Sequence, residues 1–291
     1  MIHFSDNNSC HIDTGEDMQN NFLFFDIDGT LKDFRTNGVP KSASDAIRKA
    51  QGNGCLAFIA SGRPRFILNE DFGFTPNGFI FASGAGFELN GKVVLSRTFD
   101  PKLLQELMRK AEQCHVSYNL QGFEGGYASP HFYHDFEDEM TNGKMKGYLE
   151  DDYLSKGLRP MNLYHEEPIY KIDIHYYKDS AKSTFMNWLK GRAEYAGTAS
   201  MNPNFLDGAE LSPVDVNKGT GVLMVVTHYH GDMEKTYAFG DSLNDYEMIR
   251  TVRHGVAMSN GVKQLREIAE YVTDSPHEDG IAKALCHYHL I

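Results

Sequence analysis

Two carboxylates two residues apart, Asp26 and Asp28, follow the apolar run Phe22-Leu23-Phe24-Phe25 and lead into Gly29-Thr30. Four bulky residues in a row suit a strand buried on both faces, as in a parallel sheet. In an open parallel sheet ligands bind beyond the carboxyl ends of the strands, so both acids would stand at a binding edge. A second run, Thr236–Phe239, empties into Gly240-Asp241-Ser242-Leu243-Asn244-Asp245. Four acids at two strand tips repel one another unless a cation lies among them. All-oxygen ligands suit a hard ion, and Mg2+ pairs a few carboxylates with substrate phosphate oxygens. Each stretch alone has a plainer reading. Asp-Gly is common turn chemistry, and Asp241 or Ser242 could cap a helix.

Two further segments have the chemistry of anion binding. Ser61-Gly62-Arg63 follows the apolar run Cys55–Ala60, and a hydroxyl with exposed backbone N–H groups can hold an oxyanion. Ser61 as a helix cap is the simpler alternative. Lys218 stands in the first turn of a helical segment, where its charge opposes the helix dipole unless an anion neutralises it. A solvated surface lysine is the default for any single Lys.

The elements that must position these residues can be read from periodicity. Ser42 with Asp45 suggests the start of a helix that Gly52 and Gly54 end. Strand, helix and strand Cys55–Ala60 then form a βαβ unit with a right-handed crossover. Gly78–Ala82 is a third strand, and Asn90-Gly91 marks a hairpin between Phe87–Leu89 and Val93–Leu95. From about Phe99 the texture changes to open-faced strands and helices. His115–Leu120 and Ile169–Tyr176 read as strands, and Leu103–Ala111 and Phe185–Leu189 as helix faces. The first texture returns with a helix at Lys218–His230, the strands Thr236–Phe239 and Val256–Met258, and helices at Glu247–Ile249 and Val262–Ala269. The expected fold is α/β, a Rossmann-like parallel-sheet core interrupted by an inserted α+β cap. The expected division is 1–20 as a loose extension, 21–98 and 206–291 as the core, and 99–205 as the cap.

In this order the four motifs resemble the haloacid dehalogenase-like superfamily of phosphohydrolases. Asp26-Ile27-Asp28-Gly29-Thr30 and Gly240-Asp241-Ser242-Leu243-Asn244-Asp245 are its most specific signatures here. The position of the insertion, between Ser61 and Lys218, and the closing His277-Glu278-Asp279-Gly280-Ile281-Ala282 are similar to the Cof-type subfamily, which has a large α/β (C2-type) cap. The resemblance implies that Asp26 is the nucleophile that forms an aspartyl-phosphate. Asp28 would be the general acid and then the base. Asp26, the main-chain carbonyl of Asp28, Asp241 and, less directly, Asp245 would hold Mg2+. Ser61, Gly62, Lys218 and Asn244 would bind the phosphate. Ser83-Gly84-Ala85 departs from the family's usual Asn-Gly-Ala, so the substrate contact of that Asn does not carry over. The implied activity is Mg2+-dependent hydrolysis of a small phosphorylated metabolite, with sugar phosphates as first choice. A phosphosugar mutase and a non-catalytic module that senses a phosphometabolite are the alternatives. Specificity would come from the cap, with Tyr118, Tyr127 and Lys171 as candidates.

Composition narrows the partners. The chain has 291 residues, which suggests roughly two domains. Forty Asp and Glu against 28 Lys and Arg give a net charge of −12, which repels nucleic-acid backbones and anionic membranes. No apolar stretch approaches the roughly 18 residues of a membrane span. The polar N-terminus does not read as a secretory signal, and four scattered cysteines suit a reducing cytoplasm better than a disulfide or zinc scaffold. No obligate protein partner is implied. His228-Tyr229-His230-Gly231-Asp232 copies part of a zinc-hydrolase motif, but Met233 replaces its last His, so solvated polar residues are expected there. The aromatics Tyr118, Phe123, Tyr127, Phe132 and Tyr133 read as cap core, with a stacking wall as the alternative.

Overall fold

The structure is a computed structural model and describes residues 20–36, 38–132, 157–198 and 205–291. All but the last residue of the expected loose extension lies outside the described residues, as does Tyr133. The chain divides into two compact units. One comprises residues 1–62, 70–96 and 217–291, the other 63–69 and 97–216.

The first unit is built on an eight-stranded sheet. Its first five strands are β1 (Phe22–Phe25), β2 (Leu56–Ala60), β3 (Gly78–Phe81), β4 (Gly86–Leu89) and β5 (Lys92–Ser96). The chain then forms six strands of the second unit. These are β6 (Val116–Gln121), β7 (Gly126–Ala128), β8 (Leu158–Pro160), β9 (Lys171–Tyr177), β10 (Glu194–Thr198) and β11 (Phe205–Ser212). It returns to the first sheet with β12 (Thr236–Gly240), β13 (His254–Met258) and β14 (Tyr271–Thr273). The first sheet runs β14-β13-β12-β1-β2-β3-β4-β5, parallel as far as β3 and antiparallel beyond.

β1 lies between β12 and β2 and is wholly buried, as a run of four apolar residues requires. Phe25 stacks on Phe239 at 4.7 Å and Phe24 on Phe58 at 5.4 Å. Burying each of these rings stabilises the sheet by roughly 1.5–3 kcal/mol. Asn90 and Gly91 both have positive φ (50° and 76°), the conformation that a tight hairpin requires and that Asn-Gly supplies.

Among the described residues the helices are α1 (Lys41–Gly52), α2 (Pro101–Gln113), α3 (Lys182–Leu189), α4 (Lys218–His228), α5 (Tyr246–Thr251), α6 (Lys263–Ile268) and α7 (Gly280–His287). One start is corrected. α1 is capped at Pro40, not Ser42, and no side chain caps it. The Pro40 carbonyl accepts from the Ala43 and Ser44 N–H groups at 3.0 and 3.2 Å, and proline's fixed φ suits entry to a helix. Asp45 pairs instead with Lys41 and Arg48.

The second unit has a sheet in the order β10-β11-β9-β6-β7-β8, antiparallel except for β7–β8. One face of β6 and β9 packs with α2 and α3 residues into an apolar core that includes Leu107, Leu120, Ile172, Ile174, Tyr176 and Phe185. The molecule is thus an α/β core sheet with an inserted cap region, as the sequence implies.

Candidate active site

β1 and β12 are hydrogen-bonded neighbours, so the chain ends of both strands meet at one edge. The pairing continues one step past β1, where the Asp26 N–H donates to the Phe239 carbonyl at 3.0 Å. This carries Asp26 to the rim with its side chain almost fully buried. Carboxylate oxygens of Asp26, Asp241 and Asp245 lie within 4.8 Å of one another.

Lys218 reaches the same point from the start of α4. Asn217 caps that helix, accepting from the Thr220 N–H, and the Thr220 hydroxyl accepts from the Asn217 N–H. Gly84 fixes where the helix begins. Its φ is +100°, and a Cβ there would fall 2.0 Å from the Asn217 carbonyl oxygen. Lys218 Nζ, fully buried, donates to Asp26 Oδ1 and to Asp245 Oδ1, each at 2.5 Å.

Asp245 is held on its other side. Its Oδ2 accepts from the N–H groups of Asp241 and Ser242 at 3.0 Å and from the Ser242 hydroxyl at 3.2 Å. The Val262 N–H donates to the Asp241 carbonyl at 2.8 Å. Gly29, at φ +82°, leaves the room that Asp241 occupies, since a Cβ there would lie 2.2 Å from Asp241 Oδ2.

The electrostatics follow from burial. Desolvation, then repulsion by Asp245, pushes Asp26 up to about 8, with Lys218 opposing. Desolvation and Asp245 push Asp241 up to about 7, and the charge of Asp28 adds to this. Burial works to lower the pKa of Lys218, but Asp245 and Asp26 outweigh it and raise the pKa, so it stays charged. Three carboxylates against one ammonium leave a deficit of two positive charges, and every donor is a hard oxygen. The set fits a divalent ion such as Mg2+, held by Asp26, Asp241 and Asp245. Among the described residues this is the one group of three side chains that could hold a metal.

Asp28 stands at the same strand end, but its carboxylate is not one of the three that converge. Ser61 is buried beyond β2, its N–H donating to the Ile80 carbonyl at 2.9 Å. A Cβ on Gly62 would lie 3.3 Å from Ser83 Oγ and 3.5 Å from Asn244 Nδ2, so these three positions are neighbours. The Asn244 amide oxygen accepts from the Ser242 hydroxyl at 2.6 Å.

Three contributors were not expected. Thr30 Oγ1 lies 3.5 Å from Asp241 Oδ1, and Asn260 Nδ2 donates to the Gly29 carbonyl at 2.9 Å. Ser83, known from sequence only as a departure from the family pattern, borders Gly62 with φ +56°. Thr30 was visible as the last residue of its motif. Asn260 had the weaker signal of a polar residue two places past an apolar strand. Among the described residues His228 joins no metal-binding group. It packs edge-on against Phe87 at 5.7 Å. Tyr118 and Tyr127 belong to the apolar core of the second unit, as the core reading of the aromatics expects.

Residues 23–285 match the family model described as haloacid dehalogenase-like hydrolase. The Bacillus subtilis protein named "Putative phosphatase YkrA" is 29% identical over 276 residues, covering 92% of this chain and 97% of its own. The B. subtilis 5-amino-6-(5-phospho-D-ribitylamino)uracil phosphatase YcsE is 25% identical, covering 94% and 98%. The solved structure of BT1666 from Bacteroides thetaiotaomicron, a phosphatase of the same superfamily, shares the fold with a TM-score of 0.74 at 24% identity, covering 97% of this chain and all of its own. With the acidic cluster, the buried lysine and the match along most of its length, the chain belongs to the haloacid dehalogenase-like hydrolases and is a phosphatase.

Proposed function

We propose that this phosphatase is of the Cof type, that it releases orthophosphate from a small phosphorylated metabolite of the sugar-phosphate class, and that residues 99–205 are the cap that selects it. The observation that carries the reading is Lys218, buried and bonded at once to Asp26 and Asp245, residues far apart in sequence. The name of the relative YcsE specifies a phosphorylated ribityl compound, a polyol ester, which supports the substrate class.

In this reading an Asp26 oxygen attacks phosphorus and the bond to the leaving oxygen breaks. Asp28 protonates that oxygen. Asp28 then accepts a proton from water as the water attacks phosphorus, and the Asp26 carboxylate and orthophosphate are released. Lys218 holds Asp26 Oδ1 and so fixes the orientation of the nucleophile. A divalent ion bound by Asp26, Asp241 and Asp245 supplies the charge that offsets repulsion between the phosphate and the carboxylates. Ser61, Gly62 and Asn244 complete the cradle for the phosphoryl oxygens.

With p-nitrophenyl phosphate and Mg2+ the purified chain should release orthophosphate. Chelation should stop it, and Asp26→Asn should abolish turnover. A folded, metal-replete sample with no turnover, or a fully active Asp26→Asn, would overturn the reading. With a sugar phosphate, orthophosphate should accumulate; a mutase would conserve total ester.

A further inference from the structure

The turn after β3 has an unusual backbone. Ala82, Ser83 and Gly84 are all left-handed, with φ of 48°, 56° and 100°. Glycine takes this region freely, whereas alanine and serine crowd their Cβ there. Two such residues in a row, one of them the fully buried Ala82, form a strained turn that its surroundings must enforce. The enforcing contacts reach two other parts of the site. The Ser83 N–H donates to the Ser61 carbonyl at 3.0 Å, and Gly84 lies against the Asn217 carbonyl, next to Lys218. Strain of this kind gathers where a function needs a group held in place.

The group that this turn holds in place is a hydroxyl. Ser83 Oγ lies 3.3 Å from where a Gly62 Cβ would stand, and Asn244 Nδ2 lies 3.5 Å from the same point. Apart from the chain neighbours of Gly62, no other atom of the described residues comes within 4 Å of it. The backbone of Gly62 is not left-handed, so what glycine supplies here is room. Gly62 and Ser83 are half-buried and Asn244 is exposed, so the notch opens to solvent. Ser242 turns the Asn244 amide the right way, because its hydroxyl takes the amide oxygen at 2.6 Å and leaves the NH2 end on the side of Gly62.

The chemistry of the notch follows from these two groups. An amide NH2 only donates, and a hydroxyl can donate beside it, so the notch suits an acceptor oxygen. Its place in the sheet says which oxygen. Ser83 reaches it from the turn after β3 and Asn244 from the turn after β12, and β1 and β2, which end in Asp26 and Ser61, lie between those two strands. The carboxylates that would hold a divalent ion follow β1 and β12, so the notch by Gly62 lies on the other side of Asp26 from Asp241 and Asp245. All of these residues belong to the first unit.

We propose that Ser83 is a further phosphate-binding residue: its hydroxyl and Asn244 Nδ2 together hold the phosphoryl oxygen that faces away from the metal, and the left-handed turn serves to present that hydroxyl. The proposal rests on the phosphatase reading above. A contact to the phosphoryl group is common to every ester, so its loss should not depend on the leaving group.

The test uses the full chain with Mg2+ and the variants Ser83→Gly and Ser83→Asn. Ser83→Gly removes the hydroxyl and keeps a residue at ease in left-handed backbone, so it should melt no lower than the wild type. It should lower kcat/KM about tenfold or more, as for one hydrogen bond to a charged group, and by the same factor for phenyl phosphate and for the best of ribose 5-phosphate, glucose 6-phosphate and sorbitol 6-phosphate. Orthophosphate binding, followed by calorimetry, should weaken by a similar factor. Ser83→Asn puts an amide donor in a region that asparagine also accepts, and should bring both readouts back to within about threefold of the wild type. Orthophosphate binding that Ser83→Gly leaves unchanged overturns the proposal. So does a loss confined to the sugar phosphates, which would place the contact on the leaving group, or a fall in Tm of several degrees in Ser83→Gly, which would make the hydroxyl a support of the turn. Calorimetry needs no turnover, so weaker orthophosphate binding in Ser83→Gly with no ester hydrolysed by the wild type would support the notch while overturning the phosphatase reading.

Discussion

Without the Lys218 ammonium, Asp26 and Asp245 would lose the cation that bonds both of them. Breaking a buried pair from one side leaves uncompensated charge and typically costs about 3–5 kcal/mol. Lys218→Met should therefore lower the metal-free unfolding free energy by about that much in urea titrations, and lower kcat/KM on the order of a thousandfold. Lys218→Arg should not restore activity, since a planar fork does not reproduce a point donor with two oxygens at 2.5 Å. The acids give a pH prediction. Folding raises Asp26 from 3.8 to about 8 and Asp241 from 3.8 to about 7. The folded state then binds more protons than the unfolded one through this window, so metal-free stability falls as pH rises. The metal-free Tm should be lower at about pH 8.5 than at about pH 6, and the gain on adding Mg2+ should be larger at the higher pH, where the ion need not displace protons. A metal-free Tm that rises over this range would contradict the assignment. The acids and Lys218 were legible because each directly follows a strand or begins a helix. That Lys218 bonds Asp245 as well as Asp26 was not, because it depends on how α4 and β12 meet.

At the scale of elements, two glycines separate geometry from strain. Gly84 (φ +100°) lies against the Asn217 carbonyl, where a Cβ would approach to 2.0 Å, whereas Gly91 (φ +76°) has nothing within 4 Å of a built Cβ. Gly91→Ala should cost about 1 kcal/mol of backbone strain and leave kcat/KM unchanged. Gly84→Ala should cost more than that and also lower kcat/KM, because it pushes the turn after β3 away from the start of α4 and moves Lys218. Urea titration and steady-state kinetics on both variants distinguish the two cases. The core strands could be read because β1, β2 and β12 are short, apolar and bounded by polar turns. β11, Phe-Leu-Asp-Gly-Ala-Glu-Leu-Ser, was not recognised. Its Gly and acids imitate a loop, and only its register with β9 shows that Ala209 and Leu211 share one face. The start of α1 was misplaced for a related reason. Ser42 is a good cap by residue type, but the Pro40 carbonyl had already taken the first N–H groups.

For the molecule as a whole, the chain leaves the first sheet after β5 and returns to it only at β12. The return is what makes the site, since β1 pairs with β12 only after the intervening unit has been passed. Net charge is the other whole-molecule property, and it acts against the reaction at long range. A chain of charge −12 repels a dianionic phosphate ester before any contact forms. Within the acidic cluster, Lys218 and a divalent ion would cancel the three carboxylates, so the local site need not repel what the surface does. Salt distinguishes the two scales, because screening acts over roughly 8–10 Å at physiological ionic strength and weakens surface fields more than buried contacts. With Mg2+ saturating, raising NaCl from about 10 to about 150 mM should increase kcat/KM for phenyl phosphate, by about two- to threefold, while kcat stays nearly constant. A decrease would mean that a positive local field steers the substrate in and outweighs the charge of the whole surface, and steering would then have to be sought in basic residues near the phosphate cradle.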